Sequence, residues 1–582
     1  MRVAAVFVAF EGIDGSGKTT LSNLVAERLR AAGRDVLHAR ENGVLASAVA
    51  RRVRELTRDP ALLEMSARAE LFLNLAREAQ QLDQIVRPAL AAGRLVITDR
   101  SLHSLVALAA AGRALPRADV DAAARVAASG TRPDAVVLVD VDPDLARLRK
   151  RVGKILEGCD RDRESRKGLS GSGLQVRIRN HLRAEAAADP ARWVVAVNDG
   201  RAREAVADEI AAELLRRADG GAPPIGAARR HLPAAAEATD ASPAAVSARF
   251  LAMVRRFAVA EPALAAHLIA GVPGAAEHAL REELAPRAPR LVARSLRGLD
   301  DRDADALRRA LAPTVPADVA ESLGADASPA AMALRAELLA AAPAAVAAGL
   351  AGNGTPEAWA LRAVALDRGA LDGVLEGLAG VEGPAAWELR EEGMRRQRWA
   401  AVGRSLARVA GRRADALRAE LAARDPLAAI RATAGLDGEA VREIQERFFA
   451  LARKRVLRAV TGVDAPHAWA LRERAVAETK EALDSIDGMD HPRAWALRAA
   501  GVSRWPATAV SSLVALAGTP RGGAIVTRAL EVAPASVAVL RNAHAAFARA
   551  AAARLRPLHA VAPRAAAPGA VTRVALEETC RT

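Results

Sequence analysis

The chain of 582 residues contains no tyrosine, and aromatic residues make up only 3 % of it. So few large rings argue against a β-sandwich and suit closely packed, alanine-rich helices. There are two cysteines, Cys159 and Cys580, far apart and without metal-ligand neighbours. They exclude a disulfide framework and fit a reducing compartment. Apolar runs are broken by proline, glycine or charge before about 18 residues, so no membrane span is expected. No signal-peptide arrangement leads the chain, because Arg2 is followed at once by a short strand-like run. A cytoplasmic protein is the expectation. The formal charge is +15, yet no long Lys/Arg block with interleaved aromatics occurs. Arginines alternate with acids as solvated helix faces, and nucleic-acid binding is disfavoured.

What is present is informative from the start. The apolar run Val3–Phe10 leads into Gly12-Ile13-Asp14-Gly15-Ser16-Gly17-Lys18-Thr19, followed by Thr20 and a helical pattern. This matches G-x-x-x-x-G-K-[ST] at every fixed position and in the strand–turn–helix context the motif requires. Glycines let main-chain N–H groups converge on phosphate oxygens, and the helix that follows directs its positive end at the same anion. Lys18 is placed to reach the β- and γ-phosphates, and the Thr19 hydroxyl to ligate Mg²⁺. A nucleoside-triphosphate site spanning Gly12 to Thr20 follows.

Residues 1 to about 216 alternate short apolar runs with helical patterns: strands at Val3–Phe10, Asp35–His38, Leu95–Thr98, Ala135–Val141 and Trp193–Val197; helices at Thr19–Ala32, Leu62–Ala91 and Glu204–Arg216. Such alternation predicts an α/β domain, a three-layer P-loop fold with a parallel sheet. Residues 217 to about 245 are rich in Pro, Ala and Gly and read as a linker. From 246 to 555 a motif Ala-Leu-Arg recurs about every 27 residues, with leucines at Leu280, Leu307, Leu334, Leu361, Leu389, Leu417, Leu471 and Leu497 and a degenerate copy near Ile444. Four copies carry tryptophan, at Trp359, Trp387, Trp469 and Trp495. Such a period implies one supersecondary unit stacked many times, here two short helices. An all-α, HEAT-like solenoid is expected. In it the tryptophans plug the core, the arginines form a ladder to carbonyls or acids of the neighbouring unit, and Asp464 and Asp490 cap helix starts. The tail from 556 to 582 is expected to be loosely ordered.

Phe10–Thr20, reading F-E-G-I-D-G-S-G-K-T-T, resembles the start of thymidylate kinases. So, in order, do Arg40-Glu41-Asn42-Gly43, the helix around Phe72–Arg77, Thr98-Asp99-Arg100-Ser101 and Pro133–Pro143, with an arginine-rich stretch at Arg147–Lys167 where that family has a mobile lid. The resemblance covers about the first 200 residues. It implies phosphoryl transfer from ATP, with Mg²⁺, to a nucleoside monophosphate. Lys18 and the loop would hold the donor. Thr19 and Asp99 would place the metal. Arg40, Arg77 and Arg100 would hold the acceptor, with Phe72 against its base and Asp14 at its sugar hydroxyl. Because the loop carries Gly15, the catalytic arginine is expected from the lid, among Arg149, Arg151, Arg161 and Arg163. The resemblance also implies a homodimer.

Ser101 stands where relatives have an aromatic, Asn42 where they have proline, and Leu108 and Ala109 where polar base-reading groups are expected. Phosphoryl transfer is therefore better marked than the acceptor base. The primary reading is dTMP kinase with a helical appendage that docks a protein partner or regulates. The alternatives are a kinase for another nucleotide or nucleoside, and a nucleotide-sensing scaffold with a degenerate kinase domain.

Overall fold

The computed structural model describes residues 6–60, 62–158, 166–218, 242–534 and 536–559. Five strands form one parallel sheet: β1 (Phe7–Glu11), β2 (Val36–His38), β3 (Leu95–Asp99), β4 (Ala135–Asp140) and β5 (Trp193–Val197), in the order β2-β3-β1-β4-β5. β1, β3 and β4 are buried at every position. Helices cover both faces, so these strands read as continuous apolar runs rather than as alternation. Register pairs Phe10 with Asp99 and Glu11 with Leu138. The carboxyl ends of β1, β3 and β4 thus finish side by side, where an open α/β sheet binds its ligand.

Around the sheet lie α1 (Lys18–Ala31), α2 (Ala48–Arg58), α3 (Ala67–Gln81), α4 (Arg87–Ala91), α5 (Leu102–Val106), α6 (Arg117–Ala128), α7 (Pro143–Leu156), α8 (Arg166–Leu169), α9 (Gly173–Ala188) and α10 (Arg203–Ala218). The expected helical stretch Leu62–Ala91 is divided into α3 and α4 by a widened turn at Leu82–Val86. Side-chain caps from Ser47, Ser66 and Asp142 start α2, α3 and α7. The linker expected at 217–245 is shortened at both ends, since α10 runs to Ala218 and the next helix starts at Pro243; positions 219–241 lie outside the described residues. Most of the expected tail, with Cys580, and also Cys159, lie there too, although the last described helix runs on to His559.

From α11 (Pro243–Ala260) and α12 (Pro262–Leu268) onward the chain is a succession of short helices. The recurring arginine is the internal tie. Arg281, Arg335, Arg362, Arg390, Arg418, Arg472 and Arg498 are all fully buried. Arg390 shows the pattern: its Nη2 donates to the carbonyls of Leu378 (2.8 Å), Val381 (2.7 Å) and Ser405 (2.9 Å). Arg362 does the same to Leu350, Asn353 and Gly377. The ladder therefore runs mainly to carbonyls at turns, which stay unsatisfied at helix ends unless a donor reaches them. In the degenerate copy Gln445 replaces the arginine and bonds Thr433 instead.

Tryptophan sits over the arginine of its own unit. The guanidinium carbons of Arg362, Arg390, Arg472 and Arg498 lie 4.9, 4.9, 4.5 and 4.8 Å from the ring centres of Trp359, Trp387, Trp469 and Trp495. Trp469 is a buried plug, whereas the other three are half-buried. Asp464 and Asp490 do not cap helices; each accepts the indole N–H of its tryptophan at 2.7 Å. The succession closes on itself, because the last helix, Val537–His559, packs against α11, with Phe250 stacked on His544. The α/β domain reaches into this array: α7 packs on α12, on Pro289–Ser295 and on Val537–His559. Among the described residues no helix is long and apolar enough to cross a membrane.

Candidate active site

β1 ends in the phosphate loop, and the loop backbone takes forms that glycine permits. Gly17 has φ 91°, and a Cβ there would lie 2.5 Å from Asn198 Nδ2; a Cβ on Gly15 would run into the carbonyl of Ala146. Lys18 starts α1, is buried, and donates from Nζ to the Ile13 carbonyl at 2.6 Å. Burial, followed by the nearby Arg100, draws its pKa down to about 7, against the opposing pull of Asp99, Asp14 and Glu11. An ammonium so placed is stabilised by an arriving anion.

β3 ends in Asp99, next to the loop. Thr19 donates from Oγ1 to Asp99 Oδ2 at 2.5 Å, while the second oxygen, Oδ1, is buried without a hydrogen-bond partner. Burial works against its charge, but Arg40, Lys18 and Arg100 hold the carboxyl below its usual range. A hydroxyl beside an ionised carboxylate with an unused oxygen is a donor set that fits Mg²⁺.

Arg100 follows with φ 83°, an uncommon backbone state for a side-chain-bearing residue and one that recurs at functional sites. Its Nη2 donates to Asp14 Oδ1 at 2.5 Å, and its Nη1 donates to the Gly12 carbonyl (3.1 Å) and Ser104 Oγ (2.8 Å). Glu11, fully buried, organises this turn. Its Oε1 accepts the main-chain N–H groups of Ser101 (2.8 Å) and Ser104 (3.1 Å), and Ser104 Oγ donates to its Oε2. Ser101 thus uses its backbone and its hydroxyl on Glu11.

Arg40 Nη1 donates to the Asp99 carbonyl at 2.9 Å. Arg54 and Arg77 lie within its electrostatic reach. Burial and then Arg40 pull Arg54 down to about 9, with Arg58, Arg77 and Arg100 adding to the effect. Burial draws Arg77 to about 10, with Glu78 opposing and Arg40, Arg100 and Arg58 adding. Five guanidinium groups within mutual electrostatic reach form a site for a multiply charged anion. Arg54 and Arg58 were not singled out in the sequence; both lie on α2, one turn apart.

Phe72, which the resemblance puts against the acceptor base, stands on α3 and is 62 % exposed. It stands five positions before Arg77, about 140° away around a helix. Leu73, one turn before Arg77, lies on its face. Arg149 projects from α7 into the cavity and bonds Asn198 and Glu261. Arg151 is exposed, and Arg161 and Arg163 lie outside the described residues. Ser16 is buried and Thr20 exposed at the start of α1. Asp14, Gly15, Gly17–Thr20, Arg40, Arg58, Asp99, Arg100 and Arg149 line one cavity of about 690 Å³.

Sheet, loop and cationic cluster define a P-loop phosphotransferase domain. The family model described as thymidylate kinase matches residues 10–207. The thymidylate kinase of Cutibacterium acnes is 38 % identical over 208 residues, 36 % of this chain and 95 % of that protein. That of Solidesulfovibrio magneticus is 36 % identical over 205 residues, 35 % of this chain and 96 % of that one. A crystal structure of thymidylate kinase from Ehrlichia chaffeensis aligns at 24 % identity and a TM-score of 0.28, covering 36 % of this chain and 99 % of that chain. The chain belongs to the thymidylate kinase family through its N-terminal third.

Proposed function

We propose that the N-terminal domain phosphorylates dTMP to dTDP with ATP as donor. The observation that carries this reading is the meeting, in one cavity, of the phosphate loop with Arg40 and Arg100, and with Arg54 and Arg77 in their electrostatic reach. Donor and acceptor both bring negative charge, and catalysis is mainly their neutralisation and alignment. Lys18 and the loop N–H groups hold the donor phosphates. Arg40, Arg77 and Arg100 hold the acceptor phosphate, with Arg100 aimed by Asp14 and Ser104. Thr19 and Asp99 hold Mg²⁺, which when bound screens the phosphate oxygens. Arg149 is the described lid arginine nearest the donor. The helical array is the surface for any protein partner.

A second reading, a kinase for a different nucleoside monophosphate, draws on Leu108 and Ala109. Both are buried apolar residues on the helix after Arg100 and offer no hydrogen bond to a base. A coupled assay of the full chain with ATP, Mg²⁺ and each nucleoside monophosphate separates the two. dTMP should be turned over fastest; preference for another acceptor moves the assignment to that nucleotide. Lys18→Ala should lower turnover roughly 10³-fold without loss of fold. Retained turnover would remove Lys18 from the mechanism.

A further inference from the structure

The cavity has a wall that the kinase domain does not supply. Ala260 to Leu264, the junction of α11 and α12 in the helical array, line it together with Gly15, Gly17 and Lys18. Their hold on the site is specific. Glu261 accepts two bonds from Arg149, Nη2 to Oε1 at 2.7 Å and Nε to Oε2 at 3.1 Å. Arg149 Nη1 donates to the Asn198 carbonyl at 2.7 Å, and Asn198 Nδ2 donates to the Ser16 carbonyl at 2.7 Å. An unbroken relay of polar bonds runs from the helical array to the phosphate loop.

The surroundings fix that relay. Arg290, from the array, donates to the Leu156 carbonyl at the end of α7 at 2.9 Å. Beyond the lid segment, Glu481 is fully buried and accepts from Arg147 (3.1 Å) and from Ser172 N (3.3 Å) and Oγ (3.1 Å). Burial disfavours its charge, but Arg147, Lys480 and the Thr479 hydroxyl hold the Glu481 carboxyl far below the ordinary range. Gly173 approaches the Glu478 carbonyl so closely that a Cβ would collide with it. The array therefore holds the kinase domain along α7 and again at Ser172 and Gly173, where α9 begins.

A triphosphate tail seated at Gly15–Thr19 leaves its nucleoside two ways out. One leads to Arg40, Asp99 and Arg100, the acceptor side. The other leads past Asn198 to Pro262 and Ala263, an apolar, partly exposed surface suited to the face of a base. We infer that the helical array completes the donor site in cis: Ala260–Leu264 form the wall against the nucleoside of the triphosphate, and Glu261 is a positioning residue that holds Arg149 against it. The inference rests on reading the cavity as a donor site.

The test is calorimetry of a non-hydrolysable ATP analogue with Mg²⁺ on the full chain, without acceptor, alongside steady-state KM values for both substrates. Glu261→Ala should weaken the analogue about tenfold, because a bidentate charged partner is lost, and leave the KM for dTMP within about twofold. Glu261→Asp should recover part of the loss. Ala263→Phe, which keeps the Arg149 contact, should weaken the analogue by filling its place. Wild-type affinity in both Glu261→Ala and Ala263→Phe overturns the inference, as does an equal rise in both KM values. A wild-type chain that binds the analogue but leaves dTMP unphosphorylated refutes the acceptor assignment alone; the variants' affinities still decide the wall. A wild-type chain that binds no nucleotide overturns both.

Discussion

Asp14 and Arg100 form an ion pair across the mouth of the phosphate loop, Oδ1 to Nη2 at 2.5 Å, with Lys150 Nζ 3.8 Å from the other carboxylate oxygen. The pair joins the end of β1 to the end of β3. It also acts on charge: burial alone would weaken Arg100 as a cation, yet Asp14, followed by Asp99 and Glu11, keeps its pKa above the ordinary value. Asp14→Asn removes a charged hydrogen bond that aims the guanidinium. One such bond is worth about 1.5–3 kcal/mol, so kcat/KM for dTMP should fall roughly 10- to 100-fold. The KM for ATP should stay within about threefold, since Lys18 and the loop amides are untouched. Initial-rate kinetics check this, and an unchanged kcat/KM for dTMP would free Arg100 from any dependence on Asp14.

Asp99 leaves one buried oxygen without a partner while the other accepts from Thr19. Under the proposed function that oxygen faces the metal. Asp99→Ala should raise the Mg²⁺ concentration for half-maximal rate at least about tenfold, and Thr19→Val should act in the same direction. A magnesium titration of the rate is the measurement. Metal dependence equal to wild type in both variants would place the ion elsewhere.

Glu78 gives a pH dependence with a defined sign. Burial pushes its carboxyl from 4.5 up to about 7, against the pull of Arg77 and Arg40 and the weaker pull of His103, with Glu11 adding to the rise. Between pH 4.5 and about 7 the folded state therefore holds a proton that the unfolded state has lost. Stability from this group is fully present below 4.5 and declines as pH rises through that window. Glu78→Gln keeps the shape without the charge. Thermal unfolding should show it more stable than wild type at pH 8, with the difference much reduced at pH 5. Equal midpoints at pH 8 would mean that Glu78 is ionised at little cost.

Residues that belong to a motif announced themselves in the sequence, and contacts made only by folding did not. Lys18 and Thr19 stood out through the loop motif, and Asp99 and Arg100 through the family resemblance of the segment after β3; the structure lays the two segments side by side. Arg54 and Arg58 did not: α2 shows an apolar stripe at Val49, Val53 and Leu56, but that pattern marks only a helix and does not single out its arginines as ligands. Glu261 was invisible because its partner lies 112 positions away. The ladder of arginines was legible as a period, yet Asp464 and Asp490 were read as helix caps when the indole beside each is the nearer donor.

The ladder carries the last expectation. Arg390 is fully buried, and burial brings its pKa to about 10. Among the described residues no acid is hydrogen-bonded to it; three carbonyls and the face of Trp387 surround it, and the Arg413 guanidinium carbon lies 4.9 Å from the centre of that ring. Met fills similar space but donates nothing. Arg390→Met would leave three buried carbonyls short of a charged donor, and the loss should be roughly 3 kcal/mol or more. Lys would recover less than half, because a compact ammonium on a flexible stem does not stack on the Trp387 ring as the planar guanidinium does. In a repeat array each unit leans on its neighbours, so the defect should spread to the adjoining helices Leu371–Glu376 and Trp399–Ser405 before the kinase domain feels it. Hydrogen exchange resolved along the chain reads this directly. Faster exchange confined to those helices, with nucleotide affinity retained, is the expected result; unchanged protection there would mean that the stacked helices hold without the arginine.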